Sequence, residues 1–327
     1  MVSESPRTTP RAGMVDRLTY DLLIRTAGVR QPRLVSDLWT RVWGTRTPRF
    51  RGHTEVTLHG HRVQLNAGYA YPAFSRRWST YNDPLVEIVH QTAVHRGRPA
   101  SVVDVGAAVG DTVLLLLERC TADVERFYCV EPDLEFYDYL THNLGDRADV
   151  ELFCTMLSDA DDHERDVVRI HSGTASPQGE RTRQAARLDA VLAHAPRIDV
   201  LKIDTDGFDG RVLSGSTGLL SQHQPSVIFE WHPLLLKATG QDWGLPFEVL
   251  ADHGYRWFVW FTKEGSFSHI DDGFDREAVS ILGDLSRAGD MPRSDWHYDV
   301  VALTESGPPP AEVAALRHAI STHTVSD

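Results

Sequence analysis

Residues 101–112, Ser-Val-Val-Asp-Val-Gly-Ala-Ala-Val-Gly-Asp-Thr, decide how the rest of the chain is read. An apolar, β-branched run carries Asp104 near its end, turns at Gly106 and Gly110, and continues into four leucines, Leu114 to Leu117. That order is strand, tight turn, helix. Gly106 lets a ligand approach the backbone, Ala107 follows it in the turn, and Asp111 and Thr112 open a helix whose first N–H groups are free. The spacing is GxxxG, so the GxGxxG fingerprint of a dinucleotide site is not met.

Downstream, Phe127-Tyr128-Cys129-Val130 is a second apolar run that stops at Glu131-Pro132. An acid at the end of the second strand is placed to accept from both hydroxyls of a ribose. Strand, glycine turn, helix, strand, acid is the footprint of an adenosyl ligand. Its candidate contacts are Asp104, Gly106, Ala107, Gly110, Asp111, Thr112, Glu131 and Pro132.

Three further strands are expected to end in carboxylates. Val150 to Cys154 runs out at Ser158-Asp159, where Asp159 reads either as an acceptor for the adenine amine or as part of a solvated acidic turn. Ile198 to Asp204 is apolar enough for the centre of a parallel sheet. The helix after it is rich in glycine (Gly207, Gly210, Gly215, Gly218), which implies close packing. Ser226 to Glu230 ends in an acid with His232 two residues on. Ligands bind at the carboxyl ends of strands in such sheets, and Asp104, Glu131, Asp159, Asp204 and Glu230 all fall there. His232 is the best-placed base, because imidazole titrates near neutral pH, and Asp204 is the alternative. Asp204, Glu230 and Asp206 also offer a Mg²⁺ site. Lys202 either pairs with one of these acids or is structural.

The motifs VVDVGAAVGDT, CVEPD, VLKIDTDGFDGRVLSG and VIFEWH, in that order, resemble the FkbM-type methyltransferases, over roughly residues 85–303. Ala108 stands where the family usually has Asn, and Asp204-Thr205-Asp206-Gly207 where it often has Asp-x-Glu-Gly. The resemblance implies a class I, Rossmann-like α/β fold, with a seven-stranded sheet whose last strand is antiparallel, and S-adenosylmethionine as cofactor. It implies O-methylation of a small hydroxylated metabolite, a sugar or a natural product. Catalytic roles then fall to His232, Asp204 and Glu230, and cofactor contacts extend to Ser158, Asp159, Asp204 and Tyr81. Competing readings are N-methylation of a small amine, an NAD-linked oxidoreductase and a non-catalytic adenosyl-binding protein.

Around this domain, residues 1–13 read as a mobile tail and 14–84 as a cap. Val15, Leu18 and Leu22, then Leu34, Leu38 and Val42, suggest two helices broken near Gln31-Pro32. Such helices either cover the substrate side or form a homodimer contact. Residues 53–67 read as a hairpin turning at Gly60, with His59 and His61 on one strand face. Tyr69, Tyr71, Phe74, Trp78 and Tyr81 line the substrate, lie over the cofactor or plug the cap. Asp83-Pro84 is expected to cap a helix ending at Gly97. The methyltransferase domain takes 85–305, and 306–327 is a terminal tail with one helix at 311–320.

A net charge of −13 disfavours a nucleic-acid partner, which needs clustered cations. No apolar run has the ~20 residues needed to span a membrane, and the N-terminus lacks the apolar core of a signal peptide, so a cytoplasmic protein is expected. The three cysteines (120, 129 and 154) show neither disulfide nor zinc-cluster spacing.

Overall fold

The computed structural model describes residues 10–29, 38–39, 41–43, 45, 47–161, 163–165, 168–169, 175–176, 182–285 and 297–323. In chain order the elements are α1 (Met14–Ala27), the hairpin β1 (His53–Leu58) and β2 (His61–Asn66), α2 (Tyr71–Arg77), α3 (Asp83–Arg96), β3 (Ala100–Val105), α4 (Asp111–Arg119), β4 (Val124–Val130), α5 (Leu134–Leu144) and β5 (Val150–Phe153). Short strands follow: β6 (Met156–Leu157), β7 (His163–Arg165), β8 (Val168–Arg169), β9 (Ala175–Ser176) and β10 (Thr182–Ala186). Next come α6 (Leu188–Val191), β11 (Val200–Ile203), α7 (Asp209–Ser214), α8 (Thr217–His223), β12 (Ser226–Trp231), α9 (Pro233–Ala238) and α10 (Leu245–Asp252). The chain closes with β13 (Tyr255–Thr262), β14 (Phe267–Asp272), α11 (Arg276–Leu285), β15 (Tyr298–Thr304), α12 (Pro310–Ala314) and α13 (Arg317–His323).

The main sheet has the order β14-β13-β15-β12-β11-β3-β4-β5. Strands β5, β4, β3, β11 and β12 run parallel, and β15 lies antiparallel between β12 and β13. These are the seven expected strands with the expected direction of the last. The eighth, β14, is a correction, because this segment reads as a long connection in the sequence. It is an edge strand with no buried residue, so it carries no apolar alternation to announce it. The order reverses between β3 and β11, which makes that crevice the topological switch point.

Strand alternation builds two cores. Val102, Cys129, Val200 and Val301 face one side, under α3, α4, α5, the hairpin and the terminal helices. Val103, Tyr128, Leu201 and Val300 face the other, under α6 to α11. On that second side Phe247 stacks on Trp260, 5.2 Å between centroids, and Trp231 meets Trp260 edge-on at 5.5 Å. Each such buried ring contributes on the order of 2–3 kcal/mol.

The N-terminal segment differs from its reading in four ways. First, residues 10–12 are held against the hairpin: the N–H of Ala12 donates to the carbonyl of His53 at 2.8 Å and that of His53 to Pro10 at 3.0 Å. Second, α1 buries Tyr20, Leu23 and Ile24, while Val15, Leu18 and Leu22 face outward. Tyr20 wins the inner face because its hydroxyl also finds a partner, the carbonyl of Tyr69 at 2.6 Å. Third, His59 sits in the hairpin turn with φ 49°, between Glu118 (2.8 Å) and the Tyr71 hydroxyl (3.0 Å), so it shares no strand face with exposed His61. Fourth, the hairpin and α1 share one core with α3 to α5. Gln31, Pro32 and Leu34 lie outside the described residues.

Helix α3 begins after Asn82 in the left-handed region, and Asp83 does not cap it; its carboxylate is buried against Arg119. Gly97 ends the helix with φ 65°, as the sequence implies. The terminal helix is split in two at Leu316, φ 50°.

Candidate active site

The first turn is held by its own backbone. The N–H groups of Gly106 and Ala107 both donate to the carbonyl of Val130, at 2.9 and 3.2 Å. Gly106 has φ +82°, and a Cβ there would lie 1.9 Å from the carbonyl oxygen of Asp204. Glycine is therefore required by the approach of two backbones at the switch point, where the sequence assigns it to ligand approach. Gly110 has φ +88°, with α5 leucines behind it. Asp111 opens α4 from a buried position; it accepts from the Tyr69 hydroxyl at 2.6 Å and from the Thr112 N–H at 2.8 Å. Burial outweighs those hydrogen bonds and pushes its carboxyl up to about 6. Thr112 is buried beside it.

Glu131 stands just past β4 with both carboxylate oxygens in use. Oε2 accepts from the N–H of Ala108 at 2.9 Å, and Oε1 from that of Asp133 at 2.8 Å. Ala108 has φ 46°, so the turn is bent to present its amide to this acid. Pro132 offers its carbonyl to the Arg183 guanidinium.

Asp104 is buried in β3, with Oδ1 2.9 Å from Lys202 Nζ and Oδ2 buried with no hydrogen-bond partner among the described residues. Burial raises its carboxyl, only partly offset by Lys202. Lys202 also lies 3.6 Å from Asp204. Burial alone would depress the ammonium, but the charges of Asp104 and Asp204 prevail and hold it above the usual lysine range.

A second acid group lies on the β12 side. Glu230 Oε1 is 3.0 Å from His297 Nδ1 and Oε2 is buried without a partner among the described residues. Opposite Glu230 in the ladder is Asp299 of antiparallel β15. Buried Asp209, at the start of α7, accepts from Thr205 and the Gly207 N–H through one oxygen. Burial and the Asp204 charge push Asp209 up to about 7 and Asp299 to about 8. Glu230 is raised well above a normal glutamate by burial and then by Asp204, Asp206, Asp209 and Asp299. His297 is driven well below the usual imidazole range by burial and by Lys263 and His232. His232 caps α9 from a buried position, its ring 5.7 Å from that of His297.

The aromatic segment of the cap closes over this group. Tyr81 packs against Tyr71, Phe74 and Trp78 at 5.7 to 6.2 Å. Burial, then Asp204, Asp299 and Glu230, raise its phenol. Tyr81 thus lies near enough to Asp204, Asp299 and Glu230 to feel their charge. Lys263 lies 5.1 Å over the ring of Phe74.

Two sequence-derived placements do not hold. Asp159 is not at the end of β5; it follows β6, which pairs with β10 in a separate three-stranded sheet. There it is exposed and accepts from Ser158 at 2.9 Å and Arg211 at 3.0 Å, and those bonds outweigh its partial burial and lower its carboxyl. Asp204, Asp206 and Glu230 do not bring three carboxylate oxygens within 4.8 Å of one another, so they do not form a three-carboxylate cluster. Asp299 and His297 were missed by the sequence. The only signal available was direction: an antiparallel strand starts at the edge where its parallel neighbours end.

A doubly wound sheet of this order, with an acid after β4 facing a glycine turn at the switch point, has the architecture of a class I methyltransferase. The family model of the methyltransferase FkbM domain matches residues 104–257, from the end of β3 into β13. Over those residues the chain is similar to an FkbM-type methyltransferase domain. No curated protein matches the sequence. Among solved structures, an FkbM methyltransferase from Methylobacillus flagellatus KT aligns at 13% identity, covering 62% of this chain and 43% of its own, with a TM-score of 0.36. The chain thus spans less than half the length of that protein. The plantazolicin methyltransferase, solved with a monoazolic desmethyl analogue and SAH, aligns at 10% identity over 89% of this chain and 100% of its own, TM-score 0.36. Spermidine synthase from Thermotoga maritima aligns at 12% identity over 77% and 67%, TM-score 0.37.

Proposed function

We propose that this protein transfers a methyl group from S-adenosylmethionine to a hydroxyl of a small metabolite. The observation that carries the cofactor half is Glu131. Two backbone amides fix its carboxylate at the end of β4, opposite the glycine turn, the position at which an acid meets a ribose diol in such sheets. The unpartnered Oδ2 of Asp104 suits the cationic amino group of the same ligand. When bound, that cofactor supplies a methyl group already activated by its sulfonium. What remains for the chain is to hold the acceptor in line and remove its proton. His232 and Asp204, at the ends of β12 and β11, are the groups for that proton, and Tyr81 with its aromatic neighbours keeps water out.

One observation favours a second reading, N-methylation of an amine. The charges of Asp204, Asp206, Asp209 and Asp299 all bear on buried Glu230 and raise its carboxyl, and a cationic acceptor would offset them.

Calorimetric titration with S-adenosylhomocysteine tests the cofactor half. Glu131→Gln is expected to weaken binding by about 10- to 100-fold, the worth of a charge-assisted hydrogen bond of about 1.5–3 kcal/mol. His232→Ala should leave that binding intact and abolish turnover. Absence of binding to the wild-type protein sinks the proposal. An acceptor screen with paired alcohols and amines decides between the two readings.

A further inference from the structure

Away from the acid-lined edge, three elements bring metal-ligating side chains to one point. His90 lies on α3, Asp123 ends the single 3-10 turn between α4 and β4, and His318 lies on α13. One donor atom from each falls within 4.8 Å of the other two. His90 Nδ1 is 2.8 Å from Asp123 Oδ2, and the two imidazoles stack with centroids 3.8 Å apart and planes 10° from parallel. His318 Nε2 is buried and has no hydrogen-bond partner among the described residues.

A buried ring nitrogen without a partner is destabilising, and a ligand bond would satisfy it. Two imidazoles and one carboxylate form a borderline-soft N₂O set suited to zinc and its late first-row neighbours, with water as a fourth ligand. We propose that His90, Asp123 and His318 bind a Zn²⁺-type ion that fastens the C-terminal helix α13 to α3. With bonds of about 2.0–2.1 Å, tetrahedral donors stand about 3.3 Å apart, so binding requires the donors to draw in from their present spacing and the two rings to turn out of their stack until their lone pairs converge. His90 and Asp123 are 25% and 20% exposed, which leaves a path for the ion and room for its water.

The test uses the full chain, stripped with chelator and titrated with Zn²⁺ against a chromophoric competitor near neutral pH. The wild type should take up one tight equivalent, and the double variant His90→Gln/His318→Gln should bind at least ~10-fold more weakly. Asp204→Asn/Glu230→Gln should keep the equivalent, which separates this site from the acid-lined edge. A measurement on the wild type alone guards against misfolding of the variants: Co²⁺ should give the visible absorption of a four-coordinate nitrogen–oxygen site. Zn²⁺ should also slow carboxypeptidase digestion of the wild-type C-terminus. No tight equivalent in the wild type, or equal uptake by the His90/His318 variant, overturns the proposal and leaves a stacked, hydrogen-bonded pair only.

Discussion

Gly106 shows how one residue carries the geometry of the site. Its φ of +82° is open to glycine at little cost, and the space a Cβ would need is filled by the Asp204 carbonyl 1.9 Å away. Gly106→Ala should therefore destabilise the fold by about 3 kcal/mol or more, read as the shift of a urea unfolding midpoint. A change below about 1 kcal/mol would mean that the turn relaxes and that the two strand ends are not locked together. Asp104, Glu131, Asp204 and Glu230 were legible as site candidates because each closes an apolar run. The partners that set their protonation were not, since Lys202 reaches Asp104 across a strand ladder and His297 reaches Glu230 from an antiparallel neighbour.

At the level of elements, the C-terminal helices are tied to the domain by one buried arginine. Arg119, the last residue of α4, donates to Asp83 at 2.7 Å and to Thr322 at 2.7 and 2.9 Å, and also to the carbonyl of Ala319. Its side chain is 6% exposed and that of Asp83 fully buried. Glu87 adds a bond to the Ala319 N–H at 2.9 Å. Removing one partner of such a pair strands the other charge, at a cost of about 3–5 kcal/mol. Arg119→Met, which keeps the stem, should lose that much in urea unfolding and release α13 to carboxypeptidase before global unfolding. Equal proteolysis of variant and wild type would show that packing alone holds the helix. Nothing local in the sequence marks Arg119, because its partners come from distant stretches of the chain.

Over the whole molecule, carboxyls raised by burial couple stability to pH. Asp111, Asp209 and Asp299, at about 6, 7 and 8, each hold a proton in the folded state at pH values where the unfolded chain has lost it. The folded state then binds more protons, so stability falls as pH rises. Depressed His297 opposes this below its usual titration near 6.5, so the clean window runs from about 6.5 to 8. The melting temperature should fall across that window, and Asp209→Asn, which keeps an acceptor for Thr205 and Gly207, should flatten the slope. A flat wild-type profile would mean that these acids are solvated in the native state.

The sequence by itself determined the sheet, its parallel centre and antiparallel last strand, and the acids after β4 and β11, because strand alternation and glycine turns are local properties. It also placed Asp204, Glu230 and His232 at one edge, since parallel strands in topological order leave no other arrangement. Tertiary structure alone decided that β14 joins the sheet and that Asp159 leaves the cofactor edge for Arg211. It likewise decided that Tyr81 lies near Asp204, Asp299 and Glu230, and that Val15, Leu18 and Leu22 face away from the core. Each of these depends on which surfaces meet across long stretches of chain, and a periodicity cannot say which of two apolar faces will be covered.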